Sequence, residues 1–297
     1  MKEKNLTEEI GNMPEKENKD RSAATHDGGT AGGGYRELAI AAAAKAGKYL
    51  KDNLDNSHQV SFKGEIDIVT EGDRQAERMI IEMISARHPD HAILAEESPA
   101  RQSGARCRWI VDPLDGTTNY AHGYPVFCVS IALEVAGERV LGVVYNPMLD
   151  EMFVAEKGRG AFLNGRPIRV SATAEMSKCL LATGFPYDIR YSTDNNLDLF
   201  AALAVEVQAI RRAGSAALDL AYVAAGRFDG FWELKLHPWD TAAGCLLVEE
   251  AGGVVTDLQG GVFTLDAPHV VAANELIHPQ LLAALNKARN RQRKGFA

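Results

Sequence analysis

No stretch of 18 consecutive apolar residues occurs in the chain, so nothing in it reads as a membrane-spanning helix. The N-terminus is charged where a secretory leader needs an apolar run, and a cytoplasmic protein is expected. Cysteine is scarce: Cys107, Cys128, Cys179 and Cys245 stand apart with no C-x-x-C pair, which excludes a zinc ribbon and a disulfide framework and leaves buried free thiols. Basic residues are in deficit, with 32 Lys and Arg against 40 Asp and Glu and a net charge of −8. That balance argues against a broad nucleic-acid footprint. The glycine cluster GGTAGGG at 28–34 follows no strand and lacks the Gly-Lys-Ser/Thr ending of a nucleotide P-loop.

What is present is enough for a sizeable core: 297 residues, 46% of them hydrophobic, as one layered domain or two packed lobes. Residues 1–34, rich in Lys, Glu, Asn, Asp and Gly, read as a disordered tail and linker. An alanine-rich helix is expected over 35–53, and a second where Ala76, Met79, Ile80, Met83 and Ile84 share one face, with Asp73 in its first turn and Pro89 beyond its end. A short strand over 107–111 runs into DPLDGTTN (112–119). Strands follow at 127–135, 139–145 and 152–156, and Asn164-Gly165 marks a hairpin. After a break near Ser171 strands and helices alternate: strand 180–183, helix 197–208, helix 215–225, strand 228–234, a helix from Asp240 to Gly252, strands at 254–257 and 269–274, and a basic last helix from Pro279. An N-terminal α+β lobe at 35–171 and a C-terminal α/β lobe at 172–297, layered around two sheets, are therefore expected.

Acids recur where strands end or helices begin: Asp73 in VTEGD, Glu96 and Glu97 in LAEES, Asp112 and Asp115 in DPLDGTTN, and Asp240 in HPWD. Any one of them alone is explained as a helix cap. Two acids at a strand end beside Gly-Thr-Thr are different, because they repel each other unless a cation lies between them. Magnesium takes hard oxygen donors from a few carboxylates and a carbonyl. Pro113 is expected to stop the strand and turn Asp112, Asp115 and the Leu114 carbonyl to one point. Gly116 and Thr117 then offer backbone amides to a phosphate.

With these residues the chain resembles the inositol monophosphatase family, and its bacterial inositol-1-monophosphatase branch in particular. The motifs are IVTEGD at 68–73, AEES at 95–98, VDPLDGTTNY at 111–120, RRAGSAALDLAYVAAGRFDGFWE at 211–233 and PWDTAAG at 238–244. The resemblance implies a layered αβαβα sandwich, a homodimer, two or three magnesium ions, inhibition by lithium, and hydrolysis of a small phosphorylated polyol. It makes Glu96, Asp112, Asp115, Asp240 and the Leu114 carbonyl the metal ligands. Asp73 and Thr117 orient and deprotonate the attacking water, with Glu96 also counted in the catalytic set, and the metal shared by Asp115 and Asp240 stabilises the leaving oxygen. Substrate contacts fall to Asp115, Gly116 and Thr117 for the phosphate end, and to Gly214, Ser215, Ala216, Glu233 and Asp240 for the alcohol end.

Two positions depart from the family pattern. Lys235 stands where a small residue is usual, and so is expected to meet a second substrate charge, while His237 reads as a loop residue. Lys63 is expected near the metal loop or in solvent. The myo-inositol monophosphate reading competes with fructose 1,6-bisphosphate, histidinol phosphate and 3′-phosphonucleotides, and with a regulatory protein that docks on a transcription complex.

Overall fold

A computed structural model describes residues 34–56, 60–101 and 104–295, with side chains to 290. The expected tail, up to Gly33, lies outside them. The first helix, α1 (Tyr35–Asn53), buries Ala39, Ala42, Ala43, Ala46 and Gly47 on one face, small side chains that let it lie close against a sheet. A hairpin, β1 (Val60–Phe62) and β2 (Ile68–Thr70), leads into α2 (Glu71–Arg87). The start of α2 is set by a reciprocal cap: Thr70 Oγ1 accepts the Asp73 N–H, and the Asp73 carboxylate accepts the Thr70 N–H.

Seven strands form the larger sheet in chain order: β3 (Ala92–Ala95), β4 (Cys107–Asp115), β5 (Cys128–Val135), β6 (Glu138–Asn146), β7 (Glu151–Glu156), β8 (Gly160–Leu163) and β9 (Arg166–Pro167). Only β3 and β4 are parallel; the rest is a meander. Between β4 and β5 a five-residue helix, α3 (Thr117–Ala121), turns the chain. The β8–β9 turn is the expected Asn164-Gly165, both at positive φ. The second half supplies β10 (Leu180–Thr183), α4 (Leu197–Ala204), β11 (Ala209–Arg211), α5 (Ala216–Ala224), β12 (Gly230–Leu234), α6 (Pro238–Glu250), β13 (Val254–Thr256), β14 (His269–Ala273) and α7 (His278–Gly295). Its five strands pair in the order β11-β10-β12-β14-β13, parallel through β10 and antiparallel around β14.

Three apolar clusters show the layering. One joins α1 and α2 to the outer face of the larger sheet, through Ile80, Ile84, Trp109 and Ile131. The second fills the space between the sheets with α5 and α6, and the third packs α7 and α4 on the far face of the smaller sheet. The result is an αβαβα sandwich. Residues Thr241–Val248 of α6 are all buried, because a helix between two sheets has no solvent side.

Three expectations need correction. The strand does not stop at Pro113: β4 continues to Asp115, and its pairing with β5 shifts between Asp112 and Asp115. Proline is tolerated there because a bulge needs no ladder hydrogen bond from that residue. The helix from Leu197 ends at Ala204, with turns to Gln208. The helix placed at Asp240 begins two residues earlier, at Pro238, whose ring suits a first helical position.

Candidate active site

The bulge and the turn after it fix the chain from Asp112 to Thr117. Asp112 is 1% exposed, and its Oδ1 accepts the Leu114 N–H at 3.0 Å. The Leu114 carbonyl lies 3.1 Å from Thr117 Oγ1, the more distant of two acceptors for that hydroxyl's single proton, and keeps a free lone pair. Gly116 then takes φ +105°, and a Cβ there would meet the Val126 carbonyl at 2.9 Å, so glycine is required on both counts. From that turn Thr117 opens α3 with its hydroxyl 2.8 Å from Asp73 Oδ1. The second Asp73 oxygen accepts the N–H and the hydroxyl of Thr70 at 2.7 and 2.6 Å. Burial raises the Asp73 pKa, against the hydrogen bonds from Thr70 and Thr117.

Asp115 faces the second half of the chain. Its Oδ2 accepts the Ser215 hydroxyl at 2.8 Å and the Ala217 N–H at 2.6 Å, with Cys128 Sγ at 3.8 Å. The Ser215 hydroxyl is therefore already engaged. Asp240 repeats the Asp73 device on α6: its Oδ2 accepts the N–H of His237, the residue that caps the helix and stacks on Trp239. Glu96 lies 3.0 Å from the Lys63 ammonium, which also bonds Glu97. Burial works against that ammonium, but Glu96 and Glu97 outweigh it and raise its pKa. Lys63 is thus at the site, and Lys235 lines the cleft with its ammonium bonded to Asp188 and Ser192.

The acids act on one another. Burial, then Glu96, Asp115 and Asp240, push the Asp112 pKa well up. Burial, then Asp115, do the same to Asp240, where the His237 N–H opposes. Glu96 is pushed to about 7 by burial, with Lys63 opposing, and Asp115 to about 6 by burial, with Ser215 and the amides of Ala217 and Ala216 opposing. Among the described residues no three acidic, His or Cys side chains already stand at metal-cluster spacing, and Asp112, Asp115, Asp240 and Glu96 are each held by a donor of their own. The donor set still fits magnesium: it is all oxygen, and its charges raise one another's proton affinity, a penalty that a divalent cation relieves.

A cleft beside these acids is lined by Asp115, Gly116, Thr117, Gly214, Ser215, Ala216, Glu233 and Asp240, which brings together every residue expected at the substrate. Asp73 reaches the same place through Thr117, and Asp112 and Glu96 through their electrostatic interaction with Asp115 and Asp240. Two residues escaped the sequence reading. Asn119, quoted in DPLDGTTN with no role, donates to the carbonyls of Val126 at 2.7 Å and Ala213 at 2.8 Å, tying the acidic loop to the 213–216 loop. Glu77 is 3% exposed and accepts the Glu97 N–H at 2.8 Å as well as the Ser98 hydroxyl. Its signal was a charge one turn after Asp73 on the buried face of α2.

The sequence model of the inositol monophosphatase family matches residues 35–292. An inositol-1-monophosphatase from Mesorhizobium japonicum is 48% identical over 251 residues, 84% of this chain and 94% of that protein. A Nus factor SuhB from Pseudomonas aeruginosa is 44% identical over 255 residues, again 84% and 94%. The crystal structure of the extragenic suppressor protein suhB from Bartonella henselae superposes with a TM-score of 0.81 at 48% identity, covering 84% of this chain and 98% of that one. With the sandwich, the strand-end acids and these matches in agreement, the chain belongs to the inositol monophosphatase family.

Proposed function

We propose that the chain hydrolyses a myo-inositol monophosphate to inositol and phosphate with two or three magnesium ions held by Glu96, Asp112, Asp115, Asp240 and the Leu114 carbonyl. The carrying observation is the hydrogen bond from Thr117 Oγ1 to Asp73 Oδ1, a proton-accepting pair beside four buried or half-buried acids. When bound, magnesium neutralises the phosphoryl oxygens, acidifies water and stabilises the leaving oxygen. Thr117 passes a proton from the attacking water to Asp73 as the oxygen adds to phosphorus. The bond from phosphorus to the alcohol oxygen breaks in the same displacement, that oxygen takes a proton from a solvent water to leave as a hydroxyl, and the proton held by Asp73 returns to solvent. Amides of Gly116 and Thr117 hold the phosphate, while Gly214, Ser215, Ala216 and Glu233 meet the polyol. The Glu233 carboxyl at the alcohol end can meet two hydroxyls, which favours a polyol ester.

Purified protein should release phosphate from inositol 1-phosphate with magnesium, and lithium should inhibit it. Failure on that ester with turnover of histidinol phosphate or a bisphosphate would overturn the substrate. Asp73→Asn should lower kcat roughly 10²- to 10⁴-fold with KM little changed. Unpaired cysteines support a cytoplasmic location, and the family reading adds a homodimer, which gel filtration would test. Relatives named Nus factor SuhB support a second reading, docking on a transcription complex. Capture of RNA polymerase subunits that persists in Asp112→Asn would support it, and no capture would count against it.

A further inference from the structure

The alcohol end of the cleft contains one acid that neither the metal set nor the expected substrate set uses. Asp219 lies one turn into α5, where its N–H completes the helix to the Ser215 carbonyl, and its side chain lines the cleft with Glu233, Arg212 and Gly214. It is 1% exposed, and Oδ1 has no hydrogen-bond partner. A buried carboxyl oxygen without a donor is costly, by about 1–3 kcal/mol for a neutral group and more for a charged one, so a structural role would have supplied a donor. Glu233 lines the same cleft, and its carboxylate lies against Gly184 where a side chain would overlap it. Burial, then Glu233 and Asp115, raise the Asp219 pKa well above the ordinary carboxyl range, with Arg212 opposing.

We propose that Asp219 is a second specificity residue, which together with Glu233 binds hydroxyls on neighbouring carbons of the substrate alcohol. This rests on the phosphatase reading above. Two carboxyls at one end of a cleft give each hydroxyl of a vicinal pair its own partner, and an alcohol without hydroxyls leaves both carboxyls unmet. Discrimination of this kind is large because the unmet groups are buried.

The test compares inositol 1-phosphate with cyclohexyl phosphate, which has the same ring and phosphate but no hydroxyls, in wild type, Asp219→Ala and the near-isosteric Asp219→Asn. The ratio of kcat/KM for the two esters should fall at least tenfold in Asp219→Ala, mainly through the KM for inositol 1-phosphate, with a smaller loss on cyclohexyl phosphate. In Asp219→Asn, which keeps one acceptor, the ratio should fall by less. An unchanged ratio, or an equal loss on both esters, would overturn the assignment; if the alanine variant does not fold, an unchanged ratio in Asp219→Asn does so. A wild type without preference for the hydroxylated ester overturns the functional reading itself, which is a separate result.

Discussion

A single methyl group tests how Glu233 is placed. Gly184 follows β10, and its Cα abuts the Glu233 carboxylate so closely that any Cβ would overlap it. The glycine is there for space and not for a left-handed turn. Gly184→Ala should therefore displace Glu233 and raise the KM for inositol 1-phosphate roughly tenfold, about 1.4 kcal/mol, with kcat nearly unchanged and cyclohexyl phosphate unaffected. Steady-state kinetics on both esters checks it. The same scale shows why single acids were ambiguous in the sequence. Asp73 and Asp240 each sit three residues after a cap and accept its N–H, so the capping explanation and the functional one are both true of the same side chain. Only the partner across the chain, Thr117 for Asp73, separates them, and no local pattern contains it.

Elements bring the two halves of the site to each other. α5 and α6 carry the alcohol-binding loop and Asp240, and they cross where a Cβ on Gly244 would lie 2.6 Å from the Leu220 Cβ. Gly244→Ala should push the helices apart and destabilise the protein by about 1–3 kcal/mol, as overpacking does. Urea unfolding measures that loss, and activity should fall with it, since Asp240 moves with α6. An unfolding midpoint that did not change would show that the crossing has slack. The strands and helices themselves were largely legible, because periodicity, Pro89 and Asn164-Gly165 are local signals. The bulge in β4 was not. Pro113 looks like a strand end until β5 is alongside, and the register shift belongs to the pair, not to either strand. β3, four residues long, was also missed, since its pairing with β4 crosses a loop with no hairpin signal.

For the whole molecule, the acidic centre sets stability against function. Glus and Asps that titrate higher in the folded chain than in the unfolded one bind protons more tightly when folded, so stability falls as pH rises through the window between the two pKa values. Unfolded carboxyls titrate near about 4, Asp115 at about 6 and Glu96 at about 7. Metal-stripped protein should thus lose stability between about pH 4 and 7. Magnesium binds the ionised acids, so its stabilisation should grow over the same window. At a concentration 100 times Kd this amounts to about 2.7 kcal/mol, or roughly 5–10 °C in Tm for a chain of this size. Asp112→Asn removes one buried acid while its side-chain oxygen still accepts the Leu114 N–H, at 3.0 Å in the wild type. The variant should melt higher than wild type at pH 7.5 without metal, show a flatter pH dependence, gain little from magnesium and be inactive. Thermal melts with EDTA and with magnesium decide it. A lower metal-free Tm together with a full magnesium shift would mean that Asp112 is a structural acid and that the cation is held elsewhere.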